Sequence, residues 1–136
     1  MLHPVRSLVL VAPLLLGGCL ATMTSNLTSR STMLENTASS YDAVLRWSRW
    51  DAVLSHRHKD APEVPDGLRL ENVEVTGYDI RTRRAQVDED TAIQKVEISY
   101  VLKDKQVLKK LKDDQLWRYD PETKQWWIYS AFPDFR

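Results

Sequence analysis

The sequence predicts an α+β domain: one amphipathic helix packed on a curved, four-stranded antiparallel sheet in meander order. Three observations carry this. Ala43, Trp47, Trp50 and Leu54 recur at helical spacings of four, three and four. After Asp66-Gly67 the apolar period changes from about 3.6 to 2. Turn signals at 88–90, 103–106 and 120–123 then divide the remainder into four strands. A curved sheet wrapped around one tryptophan-bearing helix buries both apolar faces economically.

The first 18 residues have the parts of a secretory leader. Arg6 supplies positive charge, and Leu8 to Leu16 is an apolar run broken only by Pro13. That run is too short to span a bilayer, which takes roughly 20 apolar residues. Leu16-Gly17-Gly18-Cys19 follows. It resembles the lipobox of bacterial lipoproteins, which implies a diacylglyceryl group on the Cys19 thiol and cleavage before it. Several acyl chains on one residue anchor stably, each buried methylene adding about 0.8 kcal/mol. Cys19 is the single cysteine, so the chain makes no internal disulfide. Leu20 follows it in place of the aspartate that often retains lipoproteins in the inner membrane. The expected address is therefore the periplasmic face of a bacterial outer membrane.

Residues 21–40 contain ten Ser or Thr and almost no aromatic or β-branched aliphatic side chains. Such a composition buries too little apolar surface to offset ordering entropy, so 19–38 is expected to be a flexible tether. The folded domain is then 39–136. Ser39 and Asp42 resemble a capping box at the start of the helix, and Asp42 can pair with Arg46 one turn on. Pro62 and Pro65 stop the helix near His58. Val73 to Val87 reads as a long strand with Gly77 as a bulge. Val96 to Leu102 alternates cleanly, Val107 to Tyr119 forms a third strand, and Trp126 to Ser130 a fourth. Asp120-Pro121-Glu122-Thr123 has the composition of a type I turn. Phe132-Pro133-Asp134-Phe135 is expected to fold back on the domain.

Without its leader the chain carries 18 basic and 19 acidic residues, a balance that does not favour nucleic acid as a partner. At 136 residues a single domain is expected. The order of elements resembles the nuclear-transport-factor-2-like superfamily, a cone of curved sheet closed by helices. Asp114 to Asp120, Trp126-Trp127 and Phe132 to Phe135 are similar to the C-terminal ends of small bacterial lipoproteins in that group. The superfamily contains isomerases, dehydratases and non-catalytic modules, so the resemblance implies a fold and not an activity. A cystatin-like helix on a sheet is the neighbouring alternative.

Trp47, Trp50, Trp117, Trp126 and Trp127 are dense for a domain of this size. They are candidates for an aromatic pocket or an interaction surface. A small domain also uses large side chains simply to build its core, and Trp47, Trp50 and Trp117 fit that reading. Trp126 and Trp127 are adjacent in a strand and face opposite sides, which leaves one of them as the best candidate for a partner contact. His56, His58 and Asp60 are weak metal candidates, because i and i+2 do not share a helix face. Lys103, Lys105, Lys109, Lys110 and Lys112 form a basic hairpin suited to an anionic surface or to keeping an edge strand soluble. Asp51 and Asp79 are the acids to inspect in a pocket; Asp113-Asp114 and Asp120 read as turn acids. No catalytic, cofactor-binding or metal motif is present. The expected function is a lipid-anchored cell-envelope protein with a small binding domain for an envelope protein or component. The alternative is a small-molecule binder or proton-transfer enzyme of the cone type.

Overall fold

A computed structural model describes the backbone of residues 18–136 and the side chains from residue 26 onward. Residues 1–17 of the leader and the Cys19 side chain lie outside the described residues. Helix α1 spans Gly18–Arg46 and a short α2 spans Trp50–Leu54. Strands β1 (Val73–Gln86), β2 (Thr91–Leu102), β3 (Val107–Asp120) and β4 (Gln125–Ile128) follow. They form one antiparallel sheet in the order β1-β2-β3-β4, the expected meander. Register shifts between Val75 and Gly77 and between Ile80 and Thr82 bend β1. A side chain at Gly77 would sit 3.3 Å from the Ser99 Cβ, so glycine lets β1 pass close to β2 there.

The core lies between the helices and one sheet face. Leu34, Ala38, Tyr41 and Leu45 form the buried stripe of α1, at spacings of four, three and four. They meet Val96, Ile98, Trp117, Trp126 and Ile128 from the sheet. Tyr41 packs edge-on against Trp117 with ring centroids 5.7 Å apart. The C-terminal tail does fold back. Phe132, Pro133 and Phe135 are buried, and Phe135 sits edge-on to Tyr100 and Trp50.

Two expectations are corrected. The first is the tether. Residues 19–38 are helical, and Leu34 and Ala38 belong to the core. The packed unit therefore begins before Ser39. The Thr32 and Thr37 hydroxyls donate to the carbonyls of Thr28 and Met33 one turn back, so they are absorbed by the helix itself. Arg30 then fastens the segment to the sheet. Its guanidinium pairs with Asp90 and lies over the Tyr119 ring at 4.6 Å, and its carbonyl accepts from Trp126 Nε1 at 3.0 Å. Tertiary contacts of this kind override weak composition.

The second correction is the helix stripe. Ala43, Trp47, Trp50 and Leu54 do not share one helix. Ser48 adopts a left-handed conformation, φ 51°, and ends α1. The Arg49 N–H donates to the Val44 carbonyl and the Ser48 N–H to the Leu45 carbonyl, each at 2.9 Å. This is a Schellman cap built on serine instead of glycine. Trp47 is thrown outward and is 80% exposed, so it is not a core residue. Trp50 restarts the chain as α2 and packs on Phe135.

Candidate functional site

The inner face of the sheet carries a file of polar residues set among apolar ones. In β3, Asp113, Gln115 and Trp117 alternate onto that face, and Gln94 of β2 stands opposite Gln115. Asp113, Gln94 and Gln115 are all buried. Their hydrogen bonds close on one another. The Gln115 amide donates to Asp113 Oδ2 at 2.7 Å and to the Tyr78 hydroxyl at 3.0 Å. Gln115 Oε1 accepts from Gln94 Nε2 and from Trp117 Nε1, both at 3.2 Å. Gln94 Oε1 accepts from Arg83 at 2.6 Å at the open edge of the sheet.

Burial shifts the ionisable members of this file. Asp113 is pushed up to about 6 by loss of solvent, with the Gln115 hydrogen bond and the nearby Arg57 charge opposing and Asp114 adding to the rise. The hydroxyls of Tyr41 and Tyr78 are raised by burial as well, and the Asp113 charge raises both further. Burial lowers Arg57. Its Nη2 donates to the Pro62 carbonyl at 2.8 Å, while Nη1 is the one buried side-chain nitrogen without a partner among the described residues. An acid that titrates near 6 is suited to proton transfer in principle. Here its carboxylate receives the amide that organises Gln115, and that amide is tied to Tyr78 and Trp117. The arrangement is a satisfied internal network.

The open surface lies elsewhere. After α2 the chain runs beside β4: the His58 N–H donates to the Ile128 carbonyl, and the Ile128 N–H to the His56 carbonyl, both at 3.0 Å. Between this segment, α1 and the β3–β4 hairpin lie two adjoining clefts of about 360 and 510 Å³. Trp127 borders both, and Asp113 borders neither.

The five tryptophans therefore do not form one wall. Trp117 and Trp126 are core, Trp50 packs near the tail, Trp47 projects into solvent, and Trp127 is half-buried at the clefts. Asp51 and Asp79 are exposed, Asp51 at an open hollow of about 440 Å³ formed with Ser48, Arg49 and Trp50. His56 and His58 do not converge on a metal: His56 Nδ1 sits 2.8 Å from the Ala52 carbonyl, and His58 Nδ1 accepts the Asp60 N–H. Lys110 pairs with Glu97 at 2.9 Å, and together with Arg81 it holds the Glu97 carboxyl below its usual range. The lysine hairpin exposes Val107 and Leu108 at the end of the sheet opposite Asp90 and Arg30. The residues missed by sequence reasoning are Asp113, Gln115, Gln94 and Tyr78. Their signal was available: two-residue alternation places Asp113 and Gln115 on the same face as Trp117.

No family model and no curated protein matches the chain. Among solved structures it is similar to the crystal structure of a ketosteroid isomerase-like protein from Erwinia carotovora atroseptica. The TM-score is 0.54 at 16% identity, covering 74% of this chain and 92% of that one. At that identity the likeness speaks for architecture alone. The likeness is one of fold: a cone-like α+β arrangement of a helix on a curved antiparallel sheet.

Proposed function

We propose that this chain is a lipid-anchored cell-envelope protein whose α+β domain is a non-catalytic binding module. The observation that carries the binding reading is the contrast between a closed interior and an open surface. The buried acid of the cone, Asp113, is held by the chain's own amide, while the clefts with space beside them are bordered by Trp127. A cone-type proton-transfer enzyme needs its acid in the cavity that receives the substrate.

The anchor reading rests on Leu16-Gly17-Gly18-Cys19 behind a short apolar run. It is supported by the course of α1, which runs from Gly18 to Arg46 without a break into the packed domain. From Gly18 to Arg30, whose guanidinium pairs with Asp90 of the sheet end, the helix rises about 18 Å. In this reading Cys19 stands at the foot of a helical stalk, on the bilayer side of the Arg30 end of the sheet. The lysine hairpin is at the far end and faces away from the anchoring leaflet. The partner is an envelope protein or another envelope component, and the address is the periplasmic face of the outer membrane.

Metabolic labelling of the full chain with radioactive palmitate in a bacterial host tests the anchor. The wild-type chain is expected to carry label and to sediment with membranes, and Cys19→Ser to lose both. Unlabelled, soluble wild-type protein would overturn the reading, as would label that persists in Cys19→Ser.

A further inference from the structure

The core residues of α1 and α2 pack on one face of the sheet. On the other face the pairing of β2 with β3 runs without a register shift, so the outward side chains of the two strands stand directly opposite one another. Ile93 faces Leu116 at one end, and Val101 faces Leu108 at the other. These aliphatic pairs lie eight residues apart along β2, about 26 Å. Ile93 is 49% and Leu108 64% exposed. Between them Lys95 faces Asp114, Glu97 faces Lys112, and Ser99 faces Lys110. The charged rows are not closed within the chain. Glu97 bonds to Arg81 and Lys110, at 3.0 and 2.9 Å, instead of to Lys112 across from it. Lys95, Lys112 and Asp114 are exposed and make no ion pair among the described residues.

We infer that this face binds a second copy of the chain, about a two-fold axis that runs along the strands between β2 and β3. Such an axis lays each row on the same row of the partner with its two members exchanged. Aliphatic pairs then meet aliphatic pairs at both ends. Lys95 meets the partner subunit's Asp114 and Glu97 meets the partner subunit's Lys112, each twice by symmetry. Lys110 falls over the partner subunit's Ser99, so no row of β2 and β3 sets like charges face to face. An axis across the strands would instead set Glu97 on its own copy and Lys112 on its own copy. Both signs of charge alternate along this face, which suits neither an anionic membrane nor a partner of one charge. The axis along the strands also leaves both copies of α1 running the same way, so both Cys19 ends lie on one side and can share a leaflet. Three strands' width by nine residues' length, roughly 14 by 30 Å, is a small footprint beside the ~800 Å² per partner of a standard interface, so a micromolar dimer is expected.

The test is sedimentation equilibrium of the chain from residue 19, with Cys19→Ser to keep it soluble, from about 1 to about 500 μM. Wild type is expected to exchange between monomer and dimer within that range. Lys95→Glu and Asp114→Lys, both at exposed positions, are each expected to weaken the dimer by about tenfold or more, because each sets like charges together twice across the axis. Mixing the two variants is expected to restore association. The mixed pair regains opposite charges at both contacts, while the mismatch between β2 and β3 within each chain persists. A variant that had merely lost its fold would gain nothing from the mixture. Trp47→Ala, on the helix side of the sheet, is expected to change nothing. A wild type that stays monomeric throughout would overturn the inference. So would a dimer indifferent to both charge variants, or a mixture that associates no better than its parts.

Discussion

The inner face of the sheet and the groove at Trp127 contain similar kinds of residue and put them to opposite uses. Both hold amides, an aromatic indole, a carboxylate and a nearby arginine. Inside, Gln94, Gln115, Tyr78, Asp113 and Trp117 satisfy one another's hydrogen-bonding groups. At the groove, Asn36 and Gln125 face solvent and Trp127 stands between two hollows. A polar group inside a cone is therefore not by itself a site. What matters is whether its hydrogen-bonding capacity is already used within the chain.

The sharpest way to break this contrast is to remove its interior indole. Trp117→Ala is expected to cost about 3–5 kcal/mol, because it opens a cavity and leaves Gln115 Oε1 short of a donor. Urea denaturation followed by far-ultraviolet circular dichroism measures it. A loss below about 1 kcal/mol would mean that the indole is not part of a tight core.

The next effect is electrostatic. Asp113 titrates near 6 in the folded chain, above the ordinary carboxyl value of 3.8. The folded state then holds this proton more tightly than the unfolded state. Stability attributable to Asp113 is full below about pH 4, is lost as pH rises to about 6, and is flat above that. The total is roughly 3 kcal/mol at about 1.4 kcal/mol per unit. Asp113→Asn keeps an acceptor for Gln115 without the charge. It is expected to be the more stable protein at pH 7.5 and to lack that part of the pH slope. Superimposable pH–stability curves for the two proteins would contradict the assignment.

A smaller effect is expected at the Arg30 staple. Arg30→Ala removes a partly exposed ion pair with Asp90 and a ring contact with Tyr119, for about 1–2 kcal/mol together. A double-mutant cycle with Asp90→Ala isolates the ion pair. Helix content should fall as the segment before Leu34 frays. An unchanged helical signal would mean that the segment does not depend on this contact. Smallest of all is Trp47→Ala, expected within about 0.5 kcal/mol of wild type because the side chain is 80% exposed.

The strands were legible because alternation is a strong signal when one face is buried. Val96 to Leu102 alternates without a fault, and the turns at 103–106 and 120–123 carry their own chemistry. The start of α1 was not legible. Its hydroxyl-rich composition argues for a tether, and what holds it to the sheet are distant residues, Asp90, Tyr119 and Trp126 among them. The end of α1 was hidden for a different reason. A left-handed cap usually announces itself with glycine or asparagine, and here serine takes the position, so Trp47 was read into the core. Asp113 escaped because it stands beside Asp114, a pairing that reads as a solvated turn. On a strand the two point to opposite faces, one buried and one exposed. The partner-contact candidate drawn from Trp126 and Trp127 rested on the same alternation, and it led to the groove.

The most direct test of the closed interior is a native mass spectrum of the chain from residue 19 carrying Cys19→Ser, purified from a periplasm. A closed cone predicts one protomer mass, that of the sequence. A retained small molecule that disappears in Asp113→Asn would contradict the account, because it would place an open, ligand-holding cavity against the buried acid.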